Sequence, residues 1–194
     1  MSRDKEKIRK LKSQLNSEYK MKDHGCAQKI LGMSIIREKE KNRLKISQVS
    51  YIEKMVSKFS MTDCKPVKVH LACHFKFSSE QCPSSDEEKR EMEKVPYSSA
   101  VGSTIFTMVS TRPNISYAIN ILSRFMSNPG KEHWLGMKWL LRYLKGSSNL
   151  GLIYEKIGKS IWLQGYSDSE YETDRNKTMS ITSYFFNLNK CCIS

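Results

Sequence analysis

The sequence predicts an α+β fold, and three observations carry that prediction. Apolar residues recur at steps of three and four over residues 4–19, over 48–60 and in three consecutive stretches between 97 and 146. Near residues 29–47 and 150–188 they instead alternate with polar ones, or gather in short β-branched and aromatic runs. Hydrophobic residues make up 39% of the 194, which suits the core of one ordinary domain or two small ones. No apolar run approaches the roughly 18 residues that cross a bilayer. The charged opening Met1-Ser2-Arg3-Asp4-Lys5 has no apolar signal core behind it. An intracellular chain, cytoplasmic or nuclear, is expected. Cys26, Cys64, Cys73, Cys82, Cys191 and Cys192 are then expected as thiols and not as a disulfide frame.

Taken in order, Ile8, Leu11, Leu15 and Tyr19 form a one-sided stripe among Lys, Arg, Glu, Ser and Gln, an amphipathic surface helix that ends near Asp23-His24-Gly25. The apolar run Lys29–Arg37, the polar segment Glu38–Asn42 and the alternating Arg43–Ser47 predict a β-hairpin with a longer loop. Ser50-Tyr51-Ile52-Glu53 fits a capping box, and Ile52, Met55, Val56 and Phe59 continue a basic amphipathic helix to about residue 60. Residues 61–96 contain Pro66, Pro83 and Pro96, with Ser-rich and acidic patches and no sustained period, and are expected to be a long, partly ordered connection.

Three helices follow. Ala100, Ile105, Phe106, Met108 and Val109 mark the first, stopped at Arg112-Pro113; Ile115, Ala118, Ile119, Leu122 and Phe125 mark the second, stopped by Ser127-Asn128-Pro129-Gly130. Trp134, Met137, Leu140, Leu141 and Leu144 mark the third, closed by Gly146. Short turns between them predict a small bundle, with Phe125, Trp134, Trp139 and Tyr143 as its aromatic core. Beyond it, residues 150–154 and 161–166 flank a Lys156-Ile157-Gly158-Lys159 turn and are expected to pair, with 178–188 as a third strand and one face of the sheet uncovered.

The chain carries 33 Lys and Arg against 20 Asp and Glu, a net charge of +13. Residues 1–60 hold 16 basic and 7 acidic side chains, and 61–194 hold 17 and 13, so the front is at +9 and the remainder at +4. A basic front suits a polyphosphate partner, since each neutralised phosphate releases condensed counterions; it equally suits a solvated lysine-rich helix. Tyr51, Lys54 and Lys58 share the outer face of their helix, where an aromatic between basic residues can lie on a nucleic-acid backbone or simply face water. Asp168, Glu170, Glu172 and Asp174 alternate along a strand end, which serves a divalent metal or a solvent-facing edge. Cys64, His70, Cys73, His74 and Cys82 mix soft ligands, but their spacing lacks the paired knuckle of a zinc finger. His24 and His133 are isolated and read as surface or cap residues.

Seven ordered blocks resemble the Pol polyprotein of copia-type LTR retrotransposons, over about residues 5–189. They are Lys29-Ile30-Leu31-Gly32-Met33-Ser34-Ile35, Leu44-Lys45-Ile46-Ser47-Gln48-Val49-Ser50-Tyr51-Ile52, Val95-Pro96-Tyr97-Ser98-Ser99-Ala100-Val101-Gly102-Ser103, Thr111-Arg112-Pro113-Asn114-Ile115-Ser116-Tyr117-Ala118, Asn128-Pro129-Gly130-Lys131-Glu132-His133-Trp134, Arg142-Tyr143-Leu144-Lys145-Gly146 and Gly165-Tyr166-Ser167-Asp168-Ser169. The resemblance implies three segments: the end of a reverse-transcriptase palm and entry to the thumb over residues 1–60, a helical connection over 61–146, and the start of an RNase H-like antiparallel sheet over 147–194. It makes the Leu31-Gly32-Met33 hairpin similar to a primer grip, Tyr51, Lys54 and Lys58 part of a face that follows the template–primer backbone, and Asp168 the first RNase H carboxylate.

The implied partner is an RNA/DNA template–primer duplex, with no membrane and no small-molecule substrate, and the implied cofactor of the parent family is Mg²⁺. No Asp-Asp pair occurs in the sequence. The resemblance places that pair upstream of residue 1 and the remaining RNase H carboxylates after the third strand. The expectation is therefore a chain without polymerase or nuclease activity by itself that binds duplexes weakly and holds no Mg²⁺ of its own. Alternatives are a domesticated nucleic-acid or protein binding module, and an RNase H half completed in trans.

Overall fold

A computed structural model describes residues 4–22, 25–155, 162–170, 181–188 and 191–193. It is a mixture of helices and antiparallel sheets, as the α+β prediction requires. Helix α1 (Lys5–Glu18) opens with Asp4, whose carboxylate accepts from the backbone N–H groups of Glu6 and Lys7. Its apolar stripe is present as expected and none of its residues is buried.

A four-stranded sheet in the order β1-β2-β3-β4 comes next in the chain, from β1 (Lys29–Ile30), β2 (Met33–Glu38), β3 (Arg43–Ser47) and the distant β4 (Gly151–Glu155). Two expectations change here. The run Lys29–Arg37 is two strands, because Leu31 and Gly32 both adopt positive φ, 47° and 76°, and make a two-residue hairpin turn. Moreover, β4 pairs with β3 over Arg43↔Glu155 to Ser47↔Gly151, and not with the strand that follows it. A turn at Lys156–Lys159 lies outside the described residues.

Helix α2 (Val49–Lys58) starts before the expected capping box: Gln48 is the N-cap, Ser50 falls in the first turn, and neither caps through its side chain. Gln48 is fully buried, and its Oε1 accepts from Thr111 Oγ1 at 2.7 Å, which anchors the start of α2 to the end of a later helix. The bundle consists of α4 (Tyr97–Thr111), α5 (Ser116–Ser123) and α6 (Lys131–Gly146), with a 3₁₀ turn at Pro113–Ile115 between the first two. Ile52, Met55 and Val56 of α2 and its C-cap Phe59 enter the same core as Tyr97, Ala100, Val101, Leu122, Met137, Leu140, Leu141 and Leu144. The core and the first sheet thus both draw on more than one of the three expected segments.

In α4 the buried face is only partly the expected one: Ala100 is buried and Ile105 and Met108 pack against the core. Thr104, Thr107 and Thr111 point inward, while Phe106 and Val109 are exposed. Burial of these threonines is possible because the first two hydroxyls donate to the carbonyls of Ala100 and Ser103, one turn back, and the third to Gln48. Trp134, Trp139 and Tyr143 are half-buried at the bundle's margin, and only Phe125 of the four expected aromatics is buried.

The connection is more ordered than its sequence suggests. It contains α3 (Asp86–Glu93), opened by a reciprocal Ser85–Glu88 capping box. Ahead of α3 the chain drapes over α6: Lys145 Nζ donates to the carbonyls of Thr62 and Cys64 at 2.5 and 2.7 Å, Arg142 Nε to Lys65 at 2.7 Å, and Trp139 Nε1 to Val69 at 2.9 Å. At the chain's end, β5 (Leu163–Glu170), β6 (Ile181–Leu188) and β7 (Cys191–Cys192) form a second antiparallel sheet in that order. Tyr166 stacks on Phe185 on one face at 4.7 Å and Tyr184 meets Phe186 on the other at 6.0 Å, all four at least partly exposed. No helix among the described residues is long and apolar enough to cross a membrane.

Candidate nucleic-acid interface

The hairpin turn is the most strained point of the interface. Leu31 holds a left-handed backbone conformation that costs a non-glycine residue about 1 kcal/mol, and its side chain is 76% exposed. Gly32 follows with its own positive φ, and the place a Cβ would occupy lies 3.9 Å from Tyr51 Cδ2. The turn therefore rests beside the first turn of α2. Met33 then starts β2, half-buried.

Tyr51 is held and not free on the outer face. Its ring meets Phe106 of α4 edge-on at 5.0 Å, and its hydroxyl donates to the Ser103 carbonyl at 3.5 Å. Lys54 and Lys58 continue the same helix face and are exposed. Lys58 Nζ donates to Ser99 Oγ at 2.8 Å and sits 5.3 Å from the Phe59 ring centre. The structure so brings five of the expected residues, Leu31, Gly32, Tyr51, Lys54 and Lys58, onto one side of the α2–hairpin junction. That arrangement offers an apolar tip, a bare backbone turn and two ammonium groups, which suits a sugar–phosphate chain.

Asp168 lies elsewhere, exposed on β5 and opposite Ser183 of β6. Glu170 is two residues further along the same strand, while Glu172 and Asp174 lie outside the described residues. No group of three or more His, Cys, Asp or Glu among the described residues is placed to hold a metal ion. This holds for the described surroundings of Asp168 and for Cys64, His70, Cys73, His74 and Cys82. His70 instead meets Tyr143 at 6.0 Å, and His74 meets Phe75 at 4.4 Å and Trp139 at 5.7 Å.

The burial of two further groups, Arg112 and His133, escaped the sequence. Arg112 is 1% exposed and has no carboxylate among the described residues against it: its guanidinium donates to the carbonyl and hydroxyl of Ser147, both at 2.6 Å, and to Asn114 Oδ1 at 3.3 Å. Burial lowers its pKa and the neighbouring Tyr143 opposes that. Its charge sits at the C-terminus of α6, where unpaired carbonyls present partial negative charge. An arginine before a proline gives no sign of burial in a sequence. His133 is a cap residue as expected but is fully buried: Nδ1 accepts from the Gly130 N–H at 2.8 Å, and the ring stacks on Phe125 at 3.9 Å. Burial pushes its pKa down to about 4 against the opposing pull of the nearby Ser78 backbone, which does not reach hydrogen-bonding geometry with Nε2. His24 lies outside the described residues.

Residues 1–72 match the reverse transcriptase (RNA-dependent DNA polymerase) family. Over all 194 residues the chain is 46% identical to the retrovirus-related Pol polyprotein from transposon TNT 1-94 of Nicotiana tabacum, of which it spans 14%. Over 90% of the chain it is 32% identical to the corresponding polyprotein from transposon RE1 of Arabidopsis thaliana, of which it spans 11%. A stretch of 103 residues, 53% of the chain, is 41% identical to secreted RxLR effector protein 161 of Plasmopara viticola and covers 72% of that protein. No solved structure matches the chain.

Proposed function

Because the chain belongs to the retrotransposon Pol polyproteins, with a reverse-transcriptase segment over residues 1–72, we propose that it holds a template–primer duplex of RNA and DNA without itself carrying out the metal-dependent steps. In this reading residues 1–60 are the end of the palm and the entry to the thumb, 61–146 the connection, and 147–194 the start of an RNase H-like sheet. Asp168 is the first RNase H carboxylate of the parent enzyme.

The observation that carries the reading is the seating of the Leu31–Gly32 turn beside Tyr51, at the head of the face that bears Lys54 and Lys58. Leu31 presents an apolar surface to a sugar ring, Gly32 leaves the backbone open to close approach, and the two lysines neutralise phosphates along the strand. Tyr51, fixed by Phe106 and Ser103, keeps the turn against α2.

The test uses the purified chain. With Mg²⁺ present, primer extension and cleavage of an RNA:DNA hybrid are expected to show no turnover. Titration of a labelled template–primer duplex is expected to give weak binding whose logarithm falls linearly with log salt, with a slope of about −2 to −4. Extension of the primer, cleavage of the hybrid, or an affinity indifferent to salt contradicts the proposal.

A second reading has one observation in its favour: a protein of which this chain covers 72% carries a similar stretch apart from a long polyprotein. In that reading the chain is a domesticated binding module, and tight binding of a protein partner at high salt, with no affinity for duplexes, is its signature.

A further inference from the structure

We infer that β4 is a strap that sets the angle of the Leu31–Gly32 hairpin on the helical bundle, so that residues 151–155 position a binding element to which they do not belong. The inference deepens the duplex-binding reading and rests on it for its functional arm. Strand β3 runs directly into α2 through Ser47 and Gln48. A sheet joined to the bundle by that joint, with only the light contact of its turn on Tyr51 beside it, would swing about the joint and carry the turn with it. The second attachment is β4, which leaves the C-terminus of α6 and lies along β3 from Ser47↔Gly151 to Arg43↔Glu155. Two attachments on different helices remove the swing, and a binding element fixed in advance loses less freedom when its ligand arrives.

Each end of the strap is built for this. At its root, Arg112 grips Ser147 through both the carbonyl and the hydroxyl, which fixes where the chain leaves α6. At Gly151 a Cβ would run into the Ile46 carbonyl and come within 3.1 Å of Ser47 Cβ, so the two strands approach there as only glycine permits. Ser47 is buried beneath that contact. At the outer end the Arg43 guanidinium pairs with Glu155 of β4 and lies 3.7 Å from Glu38 of β2, clasping three strands. Tyr154 hydroxyl donates to the Cys192 carbonyl at 3.3 Å, so the strap also touches the second sheet. Arg43 and Glu155 are 112 residues apart in the chain.

Charge reversal separates positioning from direct contact with phosphate. If Arg43 touched the duplex, Arg43→Glu would weaken binding and Glu155→Arg, which adds positive charge beside it, would strengthen it. The strap predicts that both single variants weaken duplex binding by about three- to tenfold, and that the double variant returns to within about threefold of the original chain. Hydrogen exchange on the Gly151→Val chain supplies an arm independent of nucleic acid: amides of 33–38 and 43–47 are expected to exchange at least about tenfold faster, with those of α6 unchanged. Opposite effects of the two reversals, or undiminished protection of 43–47 in Gly151→Val, overturn the inference. If the valine also loosens α6, exchange at 33–38 in the two reversals and its recovery in the double variant decide the question. A chain that binds no duplex at any salt refutes the proposed function, while the exchange measurements still decide the strap.

Discussion

Helices α1 and α6 follow one plan, 14 and 16 residues long with an apolar stripe and a basic opposite face, yet they differ in what they bury. α6 places His133, Gly136, Met137, Leu140, Leu141 and Leu144 out of solvent, whereas every described residue of α1 stays accessible. The partner makes the difference. α6 is faced by α2, α4 and α5 and overlaid by the connection, four of whose carbonyls accept hydrogen bonds from its outer side chains. An amphipathic stripe makes a helix; stability comes from the surface that covers it. The sheets repeat the contrast, since the first is fastened to the bundle through α2 and β4 while the second keeps exposed aromatics on both faces.

The contrast breaks most readily by truncating one leucine in each helix. Leu140→Ala in α6 is expected to cost about 3–4 kcal/mol in denaturant unfolding, the transfer term plus the cavity it leaves, whereas Leu11→Ala in α1 is expected to cost about 0.5 kcal/mol or less. Equal losses would mean that α1 is covered in solution.

Acid sharpens the contrast next. His133, with its pKa lowered from 6.5 to about 4 in the fold, binds its proton more readily when unfolded. Its contribution is therefore full above pH 6.5 and is lost as pH falls from there through about 4, by about 3 kcal/mol in total. His133→Gln, which keeps an acceptor at the third helical position for the Gly130 N–H, is expected to flatten that dependence in melting curves between pH 4 and 7. The smallest effect tests the C-terminal end of α6. Replacing the neutral acceptor of Arg112 by a carboxylate, Asn114→Asp, is expected to raise stability by about 1 kcal/mol above pH 5; a loss would show that the guanidinium is already satisfied by Ser147.

Much of this was legible in the sequence, and what was not has identifiable causes. The helices of the bundle and their stops showed because apolar steps of three and four ended at Arg112-Pro113 and at Asn128-Pro129-Gly130. The inward threonines of α4 did not, because a threonine that bonds its own helix's carbonyl buries as well as an apolar residue. The turn at Leu31–Gly32 was hidden inside an unbroken apolar run. Helix α3 carried its capping box, Ser85 and Glu88, in plain view but no apolar stripe. The partner of β4 depends on where α6 delivers the chain, which no local pattern encodes. Of the candidate site, the sequence offers the residues one by one, but the wedging of Tyr51 between the turn and Phe106 depends on how α4 packs against α2.

Hydrogen exchange of the full chain with and without a template–primer duplex at low salt tests the central claim most directly. Slowed exchange over residues 29–37 and 49–58, with little change along α6, is the predicted footprint. Protection confined to α1 or to the second sheet, with the hairpin and α2 untouched, would contradict it.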